Sequence, residues 1–343
     1  MNFIKPKKAY SSAFTIIELL VAVAVTALLV SLMLTIVTNV MGGWSRSSGT
    51  LTSGNQARTV LDMITGDLQS MVLRRDGNVW LVASIQTSPA GEAWDTSGKP
   101  GTTASSSDAN SSLYLPAFPA VTTPATQPPV MDDYRFGKGG VWLRMITTVP
   151  DTNAGLTTIS APRAVAYQII RTKATTAANA EERYLFYRSE VSPDVTFTNG
   201  YNLLDSTKYY SSGTGSALRT PTSGTDKSTW LVANNVVDFG IRFFTRRSTG
   251  DLDPVYPKPS DLSFAATTPD STNAGPGPDA TPVRQIPDVA EVFIRILTDE
   301  GVNQIALLEN APSGYTAPGT WWDIVQANSR VYTRRVEIKA KGL

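Results

Sequence analysis

The chain has 343 residues, of which 41% are hydrophobic and 17% charged, so it is long enough for one large domain or two small ones. Its 30 basic and 29 acidic residues give a net charge of +1, which offers no electrostatic case for nucleic acid as a partner. The absence of cysteine excludes disulfides and thiolate metal sites, and the absence of histidine removes the commonest general base and metal ligand.

The first predicted element is a long apolar helix near the N-terminus. A polar leader with Lys5, Lys7 and Lys8 precedes a run that reaches Met41 with Glu18 as its one charged residue. About 20 apolar residues span a bilayer core as a helix, so the run is long enough to cross a membrane. A carboxylate inside such a run is costly and by default marks a functional site with a partner.

Two ordinary interpretations of this N-terminus compete with a functional one. A secretory signal peptide also has a basic start, an apolar core and small residues such as Ala22 and Ala24. A plain one-span anchor oriented by cytoplasmic lysines is the other. Neither requires the pair Phe14-Thr15 followed by Glu18 at the cytoplasmic edge of the run.

The segment from Ala13 to Ala22, AFTIIELLVA, closely resembles the cleavage and methylation signal of type IV prepilins and type II secretion pseudopilins. The resemblance implies that the prepilin peptidase, a membrane aspartyl protease, cuts between Ala13 and Phe14 and that the new N-terminus is methylated. It further implies that Glu18, the fifth residue of the mature chain, recruits neighbouring pilin or pseudopilin subunits. The family usually has glycine where this chain has Ala13.

Residues 1–13 are the leader. The residues that follow them are predicted to form a long two-part helix. Residues 14–41 are the transmembrane and assembly half, and 42–77 are its amphipathic continuation, ending near Asp76-Gly77. The pair Gly42-Gly43 predicts a looser or bent stretch, because glycine costs about 1 kcal/mol in a helix interior. An apolar stripe at three- and four-residue spacing predicts a buried face and consists of Val60, Ile64, Leu68 and Met71. Off that stripe lie Arg58, Asp62 and Asp67.

Residues 78–343 are predicted to form one β-rich globular domain. Its predicted strands lie at 78–86, 141–146, 164–170, 183–188, 236–244, 287–297 and 331–340. The third and fourth of these are expected to pair as a hairpin. In the fifth, apolar residues alternate with Asp238, Gly240 and Arg242, which predicts a strand with one solvated face. A short helix is predicted at Trp321–Gln326, with Thr320 as its cap.

Three stretches rich in Ser, Thr, Pro and Gly interrupt these strands, near 88–129, 199–229 and 254–282. Such compositions bury too little apolar surface to offset their ordering entropy, so they are predicted to be exposed insertions rather than separate domains. The expected fold class is α+β: a long N-terminal spine helix packed on an antiparallel β-sheet domain with long polar insertions.

The strand motifs resemble one subgroup of the same family. The segments 166–169, 185–188, 236–243, 287–296 and 332–338 are similar to motifs of the J-type minor pseudopilins and of the larger Verru_Chthon cassette protein C group. These motifs are less specific than the N-terminal signal.

The globular domain contains few residues that are candidates for catalysis or metal binding. The carboxylate pairs Asp132-Asp133 and Glu181-Glu182 are interpreted as solvated pairs beside turns, not as glycosidase acids. Segment 151–155 resembles the start of a calcium loop but lacks the bidentate glutamate, so an ordinary turn is favoured and calcium stays open. The pair Trp321-Trp322 is interpreted as core. No catalytic, cofactor-binding or metal-binding residue is predicted.

The sequence therefore predicts a structural subunit and not an enzyme. The resemblance implies the prepilin peptidase, other pilin or pseudopilin subunits and the membrane as partners, and none of them is a nucleic acid. It also implies a single-pass protein of the inner (cytoplasmic) membrane with its globular domain outside the cytoplasm. The alternative is a membrane-anchored surface binding module or adhesin that uses a prepilin-type signal.

Overall fold

The computed structural model of the protein describes residues 15–73, 78–85, 136, 140–148, 161–173, 182–204, 209, 218, 231–257, 263–267, 283–284, 286–309, 319, 321–339 and 341–342. It combines an N-terminal apolar helix with antiparallel β-sheets, which confirms the expected α+β class. The chain divides into two compact units, Met1–Leu51 and Thr52–Leu343.

The described helices are α1 (Ile16–Gln69), α2 (Pro193–Asn199), α3 (Asp299–Glu309) and α4 (Trp321–Asn328). The described strands are β1 (Val72–Leu73), β2 (Val79–Ile85), β3 (Val141–Thr147), β4 (Arg163–Lys173), β5 (Glu182–Glu190), β6 (Leu231–Asn234), β7 (Val236–Arg246), β8 (Leu252–Tyr256), β9 (Ser263–Thr267), β10 (Val283–Arg284), β11 (Val289–Leu297), β12 (Ser329–Glu337) and β13 (Lys341–Gly342). The sequence predicted neither α2 nor α3.

The strands form three sheets. The largest has the order β10-β9-β2-β3-β4-β5-β6, and all its neighbours are antiparallel except β10 and β9. The second has the order β12-β11-β7-β8 and is antiparallel throughout. The third joins β1 to β13 in parallel, so the chain end lies beside the residues that follow α1.

The seven strands predicted from the sequence are confirmed, with shifts of a few residues at their ends. The predicted hairpin is confirmed as well: β4 and β5 pair antiparallel from Val165↔Glu190 to Lys173↔Glu182. The pair Trp321 and Trp322 lies at the start of α4 and is buried, as expected for core residues.

Two of the predicted insertions contain core residues, which corrects the sequence interpretation. Stretch 254–282 includes part of β8 and all of β9, with Phe264 fully buried. Within 199–229, three buried apolar side chains belong to a core cluster with Trp80, namely Leu203, Tyr209 and Leu218. The strand β9 could not be recognised within the proline-rich stretch because a strand of five residues has only a few apolar side chains. The stretch 88–129 lies outside the described residues.

The helix α1 is continuous through Gly42 and Gly43, and the looser or bent stretch at this pair stays a prediction. The helix differs from its prediction at its end, because it stops at Gln69, before the predicted end near Asp76-Gly77. Backbone pairing with β3 replaces the next helical turn: Ser70 accepts a hydrogen bond from the Thr148 N–H at 3.0 Å, and Met71 forms a bridge with Thr147. Met71 is therefore buried as part of the sheet, not of the helix.

The strand β7 is covered on both faces, so the predicted solvated face is wrong. Asp238 is fully buried, and both of its carboxylate oxygens accept a hydrogen bond from the backbone N–H of Phe136 at 3.2 Å. A Cβ on Gly240 would lie 2.1 Å from the Phe136 ring and 2.6 Å from that of Phe293. Phe136 thus covers the face that local alternation assigned to solvent.

The main core lies inside the second unit. The part of α1 after Thr52 contributes five buried side chains to it, namely Ala57, Val60, Leu61, Ile64 and Leu68. They share this core with one face of the seven-stranded sheet and with residues of the four-stranded sheet such as Phe239 and Ile294, which lie opposite each other on one of its faces. The opposite face of the larger sheet carries a second cluster around Trp80 and Trp142.

Candidate functional site

The segment Ile16–Trp44 of α1 is the first functional candidate. It has 29 residues, an 18-residue stretch of it has a mean hydropathy of 2.8, and none of it is buried inside the structure. At 1.5 Å per residue it is about 44 Å long, against about 30 Å for a bilayer core. By length and composition this helix can cross a membrane.

Hydroxyl groups inside this segment satisfy themselves locally. Thr26 donates to the carbonyl of Ala22 at 2.9 Å, Thr35 to that of Ser31 at 2.9 Å, and Thr38 to that of Leu34 at 3.0 Å. Back-bonding of this kind lets a hydroxyl enter an apolar environment without an external partner. Glu18 is then the one charged group of the segment.

Glu18 takes part in a capping box at the start of α1. The Thr15 N–H and hydroxyl each donate to Glu18 Oε2 at 3.0 Å, and the Glu18 N–H donates back to Thr15 Oγ1 at 3.3 Å. This reciprocal pattern satisfies two N–H groups that a helix start otherwise leaves without partners. The carboxylate also lies at the positive end of the helix dipole.

The capping box gives Glu18 a local role that the sequence interpretation missed. The spacing Thr15-x-x-Glu18 is the known sequence signature of this motif and could have revealed it. The other two predicted site residues, Ala13 and Phe14, lie outside the described residues. The structure therefore places Glu18 in the first turn of α1 and does not describe its distance from Phe14.

A buried polar network, here called the Asp67 network, lies between α1 and the seven-stranded sheet. It consists of Asp67 on α1, Arg163 and Tyr167 on β4, and Arg188 and Glu190 on β5. Asp67 accepts from the Tyr167 hydroxyl at 2.5 Å and from the Arg188 guanidinium at 2.9 and 3.2 Å. Arg188 also donates to Glu190 at 2.5 Å, and Arg163 pairs with the same carboxylate.

Two members of the network, Tyr167 and Arg188, keep their protons near neutral pH. Burial raises the pKa of the Tyr167 hydroxyl well above its usual value, and the charge of Asp67 raises it further. Burial lowers the pKa of the Arg188 guanidinium, but the hydrogen bonds and charge of Asp67 outweigh it, so that pKa is higher than usual. Groups with such pKa values fix charge and geometry rather than transfer protons.

The sequence interpretation had placed Asp67 off the buried stripe of α1, and this was wrong. Its position three residues after Ile64 puts it on the edge of that stripe. Its side chain is 4% exposed, against 58% for Asp62, which pairs with Arg334 on β12. The identity of its partners, 121 residues away in the case of Arg188, could not be read from local spacing.

A second polar cluster attaches α3 and α4 to the larger sheet. Glu309, the last residue of α3, accepts from Arg171 at 2.8 and 2.9 Å and from the Trp321 indole at 3.0 Å. The Tyr184 hydroxyl donates to the same carboxylate. The Glu309 side chain is 7% exposed, so this cluster too is part of the interior.

The described residues contain no group of three or more His, Cys, Asp or Glu side chains that could hold a metal ion. The side chains of Asp132, Asp133, Glu181 and Glu182 lie outside the described part of the chain, as does segment 151–155. The carboxylates described above, in contrast, are already bound to arginine, tyrosine or backbone donors.

Comparison with known proteins found no family model, no curated protein and no solved structure that matches this chain. The features of the chain that point to a function are therefore its own: the apolar segment Ile16–Trp44, the carboxylate in its first turn, and the motif that surrounds it.

Proposed function

We propose that this chain is a minor pilin-like or pseudopilin-like structural subunit. In this proposal the prepilin peptidase processes it, and it is assembled into, or at the tip of, a type II secretion or type IV pilus-like fibre. The observation that carries the proposal is an apolar helix of membrane length, Ile16–Trp44, with one carboxylate in its first turn. The motifs of β4, β5, β7, β11 and β12 favour the J-type or Verru_Chthon cassette protein C subgroup.

Assembly would move the apolar segment from lipid into a bundle of similar helices. Lipid and a helix bundle are both apolar, so the apolar side chains gain little from this transfer. The environment of Glu18 therefore decides whether the helix is more stable in the bilayer or in the bundle. In a bilayer it can reach the headgroups, whereas in a bundle it needs an opposite charge. The methylated amine of a neighbour's Phe14 supplies that charge, and without it a buried carboxylate would cost several kcal/mol.

The capping box is compatible with this role. Cleavage between Ala13 and Phe14 would leave Thr15 as the second residue of the mature chain, so its N–H would remain a peptide amide. The box would therefore survive processing and hold the Glu18 carboxylate close to the helix start. A carboxylate held there would be positioned for the terminal amine of an adjacent subunit.

The proposal also covers the role of the two halves of α1 and the cellular location of the protein. In it, α1 is a spine whose first half is the membrane and assembly segment and whose second half packs on the β-rich domain. Support comes from the five apolar side chains that α1 contributes to the core after Thr52, and from Asp67. The protein would cross the inner membrane once, with the globular domain outside the cytoplasm.

The proposal is tested by determining the N-terminus of the protein extracted from membranes. We expect intact mass and N-terminal sequencing to give a chain that starts at methylated Phe14. A start after Ala22 would indicate signal peptidase and contradict the proposal. An uncut leader would indicate a plain anchor. A correctly cut chain absent from isolated fibres and from pull-downs of other pilin-like subunits would favour the alternative, a surface binding module or adhesin.

A further inference from the structure

The four-stranded sheet ends in a long, regular strand. Among the described residues, β12 has β11 as its only strand neighbour. Its nine residues pair with β11 in one continuous register, from Val289↔Glu337 to Leu297↔Ser329, without a bulge. The opposite edge, β8, has five residues and includes Pro254, which has no N–H to donate. The edge at β12 is therefore the better template for another strand.

Hydrogen bonds that flank the ladder show which backbone groups of β12 face outward. The Thr298 N–H donates to the Asn328 carbonyl and the Ile338 N–H donates to the Asp288 carbonyl, both at 2.9 Å. Inward and outward groups alternate along an antiparallel strand, so even-numbered residues of β12 bond to β11. The odd-numbered residues, Val331, Thr333 and Arg335 at the centre, turn their N–H and C=O groups away from β11.

These outward groups have no hydrogen-bond partner in the described part of the chain. Thr333 and Arg335 are also exposed. The helix α1 does not occupy this edge through its described contacts, because these reach even-numbered side chains: Ser53 contacts the Tyr332 hydroxyl at 3.2 Å, and Asp62 pairs with Arg334. The backbone of β12 thus presents an unused row of donors and acceptors.

The same edge is positively charged. Residues 329–339 contain four cations, Arg330, Arg334, Arg335 and Lys339, against one anion, Glu337. Arg334 and Arg335 have ion-pair partners, whereas exposed Arg330 and Lys339 have none in the described part of the chain. Basic side chains on an edge strand repel a neutral or basic strand but attract an acidic one.

We propose that the β12 edge binds an extended, acidic strand of a partner polypeptide and adds it to the four-stranded sheet. Backbone hydrogen bonds to Val331, Thr333 and Arg335 supply affinity, and the unpaired cations at the two ends supply selectivity for carboxylates. A second copy of this chain is disfavoured as the occupant because its β12 would bring the same net positive charge. The proposal does not depend on how the N-terminus is processed.

The test measures binding of two blocked peptides, of the same length as β12, to the full chain purified in detergent. One peptide alternates Glu with Thr and the other alternates Lys with Thr. Fluorescence anisotropy should show saturable binding of the acidic peptide, weakened by salt, and none of the basic one. Absence of saturable binding, or equal binding of both peptides, would overturn the proposal.

Substitutions at the strand locate the binding. Thr333→Pro removes the central outward donor without removing a bond to β11, and should weaken the acidic peptide by at least about tenfold. Its control, Thr333→Val, keeps the N–H and should bind as wild type does. A Thr333→Pro variant that binds normally would contradict the proposal.

Charge reversal gives a second readout that leaves the backbone intact, which matters should Thr333→Pro fail to fold. The double variant Arg330→Glu with Lys339→Glu should lose the acidic peptide and gain the basic one. Unchanged preference would exclude this edge as the site. Self-association of the chain that Thr333→Pro abolishes would assign the edge to a second copy and refute the acidic partner.

Discussion

At the scale of single residues, the Glu18 side chain has two separable properties. Its side chain accepts the Thr15 N–H in the capping box, which a glutamine oxygen can also do. Its negative charge can pair with an amine, which glutamine cannot do. The helix start and the proposed subunit contact therefore use different properties of one carboxylate.

We predict that Glu18→Gln and Glu18→Ala both leave expression, membrane insertion and leader removal largely unchanged but sharply reduce assembly. Co-purification with other pilin-like subunits and recovery in isolated fibres measure this. The control Thr15→Ala breaks the capping box, at a cost of about 1 kcal/mol to the helix start, and keeps the charge, so it should still assemble. If Glu18→Gln assembles as wild type while Glu18→Ala does not, Glu18 serves only to cap the helix.

Asp67 is a residue whose loss should disturb the second unit. Its carboxylate is buried and binds a tyrosine and an arginine that stay protonated, so removal of its charge leaves Glu190 as the one ion-pair partner of Arg188 among the described residues. Breaking one side of a buried ion pair typically costs about 3–5 kcal/mol, whereas replacing both sides by apolar groups is often nearly neutral.

We therefore predict that Asp67→Asn lowers the free energy of unfolding by a few kcal/mol, within that range. The double variant Asp67→Leu with Arg188→Met should be less destabilised than the sum of its single changes. Urea denaturation of all variants closes this double-mutant cycle. Asp62→Asn, at the exposed pair with Arg334, is the matched control and should change stability little. Additive effects at Asp67 and Arg188 would refute the coupling.

At the scale of elements, β7 shows how a strand with alternating polar residues can be buried on both faces. Gly240 lies opposite Phe293 in the ladder with β11, and the Phe136 ring fills the space that a side chain would take. Asp238 on the same face accepts the Phe136 N–H, so charge and shape both attach residue 136 to this strand. The small residue is required by close approach, not by its backbone angles.

We predict that Gly240→Ala destabilises the protein by about 1–3 kcal/mol, because the new Cβ would overlap two aromatic rings in a packed core. The matched control is Gly66→Ala in α1, where nothing lies within 4 Å of the added Cβ. There alanine should stabilise the helix by up to about 1 kcal/mol. Thermal denaturation of both variants tests the pair. Equal shifts in Tm would contradict the role assigned to Phe136.

At the scale of the whole molecule, the two units differ in how much apolar surface they bury. The apolar segment Ile16–Trp44 buries nothing within the protein, whereas the unit Thr52–Leu343 contains the main core. The part of α1 after Thr52 places its apolar side chains in that core, so it needs the sheets and not lipid. The boundary between the units falls inside one continuous helix.

We predict that a chain shortened to begin at Thr52 folds as a soluble monomer with a cooperative thermal transition and a mixed helix and strand circular dichroism spectrum. Its paired variants are Ile64→Asp, on the fully buried face, and Met63→Asp, whose side chain is exposed. The first should abolish cooperative unfolding because it buries a charge. The second should be tolerated. Persistent aggregation or a spectrum of the molten type in the parent chain would contradict this boundary.

The local sequence pattern was sufficient to predict those helices and strands whose own residues contain the whole signal. The apolar run around Glu18, the stretches rich in Val, Ile, Leu and aromatic residues at β2, β4, β5 and β11, and the stripe on α1 are each recognisable within a short part of the sequence. Each follows from local residue preference or from helix geometry and needs no knowledge of distant residues. The same holds for the spacing Thr15-x-x-Glu18, which by itself indicates a capping box.

Other features depend on partners that local patterns do not contain. Asp67 is buried because Arg188 and Tyr167 lie opposite it, and the helix α1 ends at Gln69 because Thr147 and Thr148 offer backbone pairing there. The short strand β9 is recognisable only beside β2, to which it pairs through Ala265↔Val82. Whether β12 is central or at an edge is likewise a property of the assembled sheet. These features are fixed by contacts between residues that are distant in the chain, so only the tertiary structure decides them.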